Sequence, residues 1–112
     1  MSASSSAAVA KPLISTLVLD DPDMLDIVEE FVAGLGTRVA EFSAAYEKQA
    51  WNDLKTLAHQ LKGAGGSYGY AEMSTLGATM EQAFKNHSAE DFSAWMKHLS
   101  ELIARAQAGL GK

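Results

Sequence analysis

The chain has 112 residues, 47% of them hydrophobic, a formal net charge of −5 and no cysteine. That length supports one compact core rather than two, and an acidic balance with nine Lys and Arg scattered along the chain excludes a broad nucleic-acid surface. The absence of cysteine excludes a disulfide framework and thiol chemistry and fits the cytoplasm; with no basic n-region and an apolar stretch interrupted by Lys11 and Pro12 and ended by Asp20 and Asp21, neither a secretory signal nor a membrane span is expected.

Residues 1–12, rich in Ser and Ala, read as a flexible N-terminal tail. Leu13, Ile14, Leu17, Val18 and Leu19 form a lead-in compatible with a short helix or an extended segment. Asp21 before Pro22 is a helix start, because aspartate caps and proline tolerates the first helical position. Leu25, Val28, Phe31, Val32 and Leu35 then give one apolar face, continued by Val39, Phe42 and Tyr46; Gly34 and Gly36 leave open one long helix or two in series. A helix from about Ala50 to Tyr68 follows. Met73, Leu76, Met80, Ala83 and Phe84 mark the next, ending near Asn86. Ser88 and Asp91 resemble a capping box for the last helix, whose buried side is Phe92, Trp95, Met96, Leu99, Leu102 and Ile103. Trp51 and Trp95 are assigned to packing. With no alternating period, the expected fold is all-α, an antiparallel four-helix bundle over residues 13–108 with a short N-terminal extension.

The segment Ala58 to Tyr70, AHQLKGAGGSYGY, concentrates the chemistry. At about 100° per residue, Ala50, Leu54, Leu57, Leu61, Ala64 and Tyr68 fall within roughly 40° of the side opposite His59. The imidazole therefore faces away from the core. Asn52, Lys55, Thr56, Lys62, Gly63, Gly66 and Tyr70 share its side, so it is flanked by positive charge and by positions without side chains. Four glycines, Gly63, Gly65, Gly66 and Gly69, weaken a continuous helix by roughly 3–4 kcal/mol. Gly63 and Gly66 lie beside His59, where they clear ground for a docking partner; Gly65 and Gly69 lie toward the flank, where close helix packing or a helix end explains them. No nucleotide loop is present, since the GxxxxGK[ST] order is absent and Tyr68 occupies the third glycine of a GxGxxG frame.

In these residues the chain resembles the histidine-containing phosphotransfer (HPt) domain, whose signature runs approximately AHxLKG, small residues, then a glycine about ten positions after the histidine. Ala58, His59, Leu61, Lys62, Gly63 and Gly69 match in order, and Trp51 stands where family members commonly carry a tryptophan. The likeness extends over roughly Asp21 to Ala106. It implies that His59 is phosphorylated through Nε2, exchanging the group with aspartates of receiver domains in a multistep two-component relay. Lys62, about 60° around the helix from His59, is placed to offset the phosphoryl charge. Lys55, Gly63, Gly66 and Tyr70 form the expected docking face, with the alternative for Tyr70 that it terminates the helix and covers the bundle end. On the following helix family members often bear Glu or Gln where Glu81 and Gln82 fall, able to orient Lys62 or the imidazole, and Lys85 adds positive charge nearby. The implied partners are response-regulator receiver domains and a hybrid sensor histidine kinase, with Mg²⁺ brought by the receiver. The chain itself is expected to be a cytoplasmic monomeric phosphocarrier, not a kinase, with no cofactor, metal, nucleic-acid or membrane partner of its own.

Two other functions compete. A bundle that lost the relay would act as a non-phosphorylated adaptor for signalling proteins. A metal bundle on His59, His87 and His98 is poorly supported, because no Glu-x-x-His pair occurs and His87 is expected in the turn before the last helix.

Overall fold

The computed structural model describes residues 11–111. Its helices are α1 (Thr16–Asp20), α2 (Leu25–Ala33), α3 (Leu35–Glu47), α4 (Trp51–Ser67), α5 (Ala71–Lys85) and α6 (Phe92–Gly109), with a 3₁₀ turn at Pro22–Met24. No strand occurs among the described residues. Helices α3, α4, α5 and α6 close a ring in which each packs on two others, and α2 leads into α3 and also touches α6. The protein is an all-α helical bundle.

The lead-in resolves as a helix capped by Ser15, whose hydroxyl accepts from Val18 N at 3.2 Å and donates to the Tyr68 carbonyl at 2.6 Å. Thr16 N donates to the Gly69 carbonyl at 3.0 Å, so α1 is strapped across the α4–α5 turn. The expected tail, 1–12, lies outside the described residues except for Lys11 and Pro12. Lys11 is held there: its carbonyl accepts from Arg105 Nε at 2.8 Å, while Leu13 N donates to the Arg105 carbonyl at 2.9 Å. Asp21 does cap, accepting from Asp23 N at 3.1 Å, but what it starts is the 3₁₀ turn with Pro22 at its head.

The arm from Leu25 to Glu47 is two helices in series. Gly34 ends α2 and precedes α3 at φ −87°, ψ −5°, and its N–H is shared between the Glu30 and Phe31 carbonyls. The core is built from Val28, Leu35, Phe42, Leu54, Leu61, Met73, Met80, Leu99 and Leu102, all fully buried, with Phe84 nearly so. Leu25 and Tyr46, expected on the buried face, are 38% and 42% exposed; Tyr46 instead covers Phe92 in a parallel stack at 4.0 Å. Trp51 and Trp95 pack as expected, both against Phe84, at 6.5 and 5.7 Å between ring centroids. The capping box does not form: α6 starts at Phe92, and the Asp91 side chain makes no capping bond. Ser88 lies in the preceding turn, where its N–H bonds the Ala83 carbonyl.

Helices α4 and α5 form an antiparallel hairpin, with His59 opposite Glu81, Ala58 and Lys62 opposite Gly77, and Gly65 opposite Met73 and Ser74. The buried residues of α4 are Leu54, Ala58, Leu61 and Gly65. The buried arc is thus turned toward Ala58 and Gly65, the small residues on the flank where α5 approaches. Added side-chain carbons at Gly65 and Gly77 would lie 2.7 and 2.5 Å from the opposing backbone, well inside van der Waals separation.

Candidate functional site

His59 stands at the middle of α4 with 69% of its side chain exposed. Its Nδ1 lies 3.0 Å from Glu81 Oε2, and the other carboxylate oxygen is 3.6 Å from Lys62 Nζ. Glu81 is 13% exposed, Lys62 48%. One carboxylate on α5 therefore links the two residues that α4 presents one turn apart.

The electrostatics of Glu81 decide the histidine tautomer. Its partial burial pushes the carboxyl upward, but the hydrogen bond from His59 and the charges of His59, Lys62 and Lys85 outweigh this and hold it below the ordinary carboxyl value. Glu81 is ionised at neutral pH and can only accept, so Nδ1 carries the proton. In its neutral form the ring then has its lone pair on Nε2, on the far side from the carboxylate.

Among the expected docking positions, Lys55 is partly exposed and Gly63 and Gly66 are exposed. A side chain at Gly63 would meet nothing within 4 Å, and at Gly66 only the Ser74 hydroxyl at 3.6 Å. Tyr70 is corrected. It is 1% exposed, stacked against Phe31 at 6.2 Å, and belongs to the core. The angular projection that put it beside His59 assumes a continuous helix, whereas α4 ends at Ser67 and Gly69, at φ +84°, redirects the chain. Its hydroxyl is buried with no hydrogen-bond partner among the described residues, and burial pushes the phenol pKa up.

On α5 the three expected positions separate. Glu81 reaches the imidazole, and Lys85 acts on Glu81 through its charge. Gln82 does not join them: it is exposed, about 100° further round the helix, and its carbonyl accepts from Asn86 Nδ2 at 3.2 Å. Sequence reasoning passed over Ser74 and Gly77. Ser74 Oγ donates to the Lys62 carbonyl at 2.8 Å, and Gly77 faces the backbone of Ala58 and Lys62. The available signal was a glycine in mid-helix, an unfavourable choice unless something uses its missing side chain.

His87 stacks on Trp51 at 5.1 Å with its backbone at φ +53°, in the turn before α6. Among the described residues no group of three or more His, Cys, Asp or Glu is placed to hold a metal ion. Nor is any described helix long and apolar enough to cross a membrane.

The family model described as Hpt domain matches residues 26–109, most of the chain. Comparison with curated proteins and with solved structures gives no match.

Proposed function

The chain belongs to the Hpt domain family, whose members are histidine phosphocarriers of two-component signalling and not kinases, and on that premise we propose that His59 is its phosphoacceptor in a multistep relay. The observation that carries this reading is the exposed imidazole with Nδ1 committed to Glu81. A ring so held keeps its nucleophilic nitrogen toward an approaching partner. The proposed partners are the receiver domains of a hybrid sensor histidine kinase and of a response regulator. Mg²⁺ comes with the receiver, and the chain serves as a cytoplasmic monomer with no cofactor of its own.

In the proposed step the Nε2 lone pair attacks the phosphorus of an aspartyl phosphate. The bond between phosphorus and the aspartate oxygen breaks, and the carboxylate leaves with the electron pair. The ring becomes an imidazolium with the phosphoryl group on Nε2 and the proton still on Nδ1, facing the Glu81 carboxylate. Such transfers depend on positioning and charge neutralisation rather than on covalent help from the protein. Lys62, one turn along α4 from His59, offsets the charge of the phosphoryl group. Attack by the aspartate of a second receiver reverses the sequence and passes the group on.

Incubation with a phosphorylated receiver is expected to give an acid-labile, alkali-stable phosphoprotein, and His59→Gln to abolish it with unchanged helical circular dichroism. Undiminished labelling of His59→Gln refutes the assignment. A wild-type protein that binds receivers but takes no label is instead the non-phosphorylated adaptor.

A further inference from the structure

Helix α5 approaches α4 so closely at Gly77 that no side chain fits. A Cβ there would stand 2.5 Å from Lys62 N, 2.8 Å from Lys62 Cα and 2.9 Å from the Ala58 carbonyl oxygen. These are backbone atoms of the very turn that bears His59, and they cannot swing aside as the end of a flexible side chain does. Three residues before Gly77, Ser74 donates to the Lys62 carbonyl at 2.8 Å; four residues after it, Glu81 engages His59 and Lys62. Spacings of three and four residues place Ser74, Gly77 and Glu81 on one face of α5.

We propose that Gly77 and Ser74 are positioning residues of the phosphoacceptor. The backbone contact at Gly77 sets the distance between the helices, and the Ser74 bond sets their register. Together they bring the two Glu81 oxygens to His59 Nδ1 and Lys62 Nζ at once. A methyl group at position 77 forces α5 back by about 1 Å to reach ordinary van der Waals separation. The 3.0 Å bond one turn away then stretches beyond hydrogen-bonding range, and the imidazole is released to either tautomer while remaining exposed. The inference rests on His59 being the phosphoacceptor.

The test uses Gly77→Ala and Ser74→Ala, each alone and combined with Glu81→Ala. Two quantities are read: the ¹⁵N shifts of the His59 ring, and the single-turnover phosphotransfer rate from a phosphorylated receiver at saturation. Wild-type shifts are expected to report the Nδ1–H tautomer, and Gly77→Ala to move them toward a tautomer mixture. Its transfer rate is expected to fall roughly 10- to 100-fold, the scale of a 1 Å misplacement, with receiver affinity unchanged. Because both residues act through Glu81, neither substitution should lower the rate further in the Glu81→Ala background. Wild-type ring shifts in both single variants, or an equal fall in rate with and without Glu81, overturn the proposal. If Gly77→Ala does not fold, Ser74→Ala, which removes one hydroxyl, carries the same cycle and decides it by the same two outcomes. A wild-type protein that takes no phosphoryl group defeats the phosphoacceptor reading, and the ¹⁵N shifts still decide the positioning role.

Discussion

Glu81 holds the most consequential side chain after His59, and its charge has a definite signature in solution. Its carboxyl is kept below the ordinary value of 4.5: desolvation acts upward, while the His59 hydrogen bond and the His59, Lys62 and Lys85 charges act downward and prevail. A carboxyl with a lowered pKa in the folded state contributes its full stabilisation above its unfolded pKa, and loses it as pH falls through the folded value. The stability difference between wild type and Glu81→Gln, measured by urea unfolding, is therefore expected to be complete only well above pH 4.5 and to shrink as the pH falls through 4.5 toward the lowered folded value. A difference that persists unchanged at lower pH would show that the bond matters and the charge does not. Lys62 belongs to the same argument, since the Coulombic effect it has on Glu81 is the one it would exert on a phosphoryl group. Tyr70 is the opposite case: a residue assigned to the surface by helical projection, and placed in the core by a left-handed glycine one residue before it.

At the scale of the helix, the glycines of α4 divide by what stands opposite them. Gly63 faces open space, so Gly63→Ala is expected to raise stability by about 0.5–1 kcal/mol, the usual gain from replacing a mid-helix glycine. Gly65 faces the backbone of Ser74 at 2.7 Å and Met73 at 3.1 Å, so Gly65→Ala is expected to lower stability even though alanine is the better helix former. Thermal and chemical denaturation of the two variants checks both signs, and a destabilised Gly63→Ala would contradict the open face beside His59. The distinction was legible in sequence, because Gly63 projects beside His59 and Gly65 projects toward the flank. Gly77 was not legible in the same way. Nothing in a one-dimensional pattern says which neighbouring helix comes close, and a lone glycine among good helix formers carries no direction.

Across the whole molecule, a core of this size leaves little stability to spare. Phe42 is fully buried on α3 with its ring 6.5 Å from that of Phe84 on α5, spanning the bundle interior. Phe42→Ala is expected to cost about 3–5 kcal/mol, a large share of the roughly 5–15 kcal/mol typical of a domain. The measurable outcome is a marked fall in the midpoint of thermal unfolding. A near-neutral change would mean that the bundle repacks freely. The N-terminal segment adds a further layer, since Ser15, Thr16, Lys11 and Leu13 join the α4–α5 turn to the end of α6 through hydrogen bonds between parts of the chain far apart in sequence.

Helix periodicity alone was enough to specify the all-α class, the position of His59 on an outward face and its neighbourhood with Lys62, because these depend on angles within one helix. The Asp21 cap was legible for the same reason, being a bond between residues two apart. The anchoring of α1, the burial of Tyr70, the choice of Glu81 over Gln82, and the contact of Gly77 with the His59 turn were settled by tertiary structure. Each depends on where a second segment lies, through a hydrogen bond, a backbone approach or a left-handed turn that joins residues distant along the chain. Local spacing fixes which way a side chain leaves its own helix; the distance to its partner is set by packing between helices.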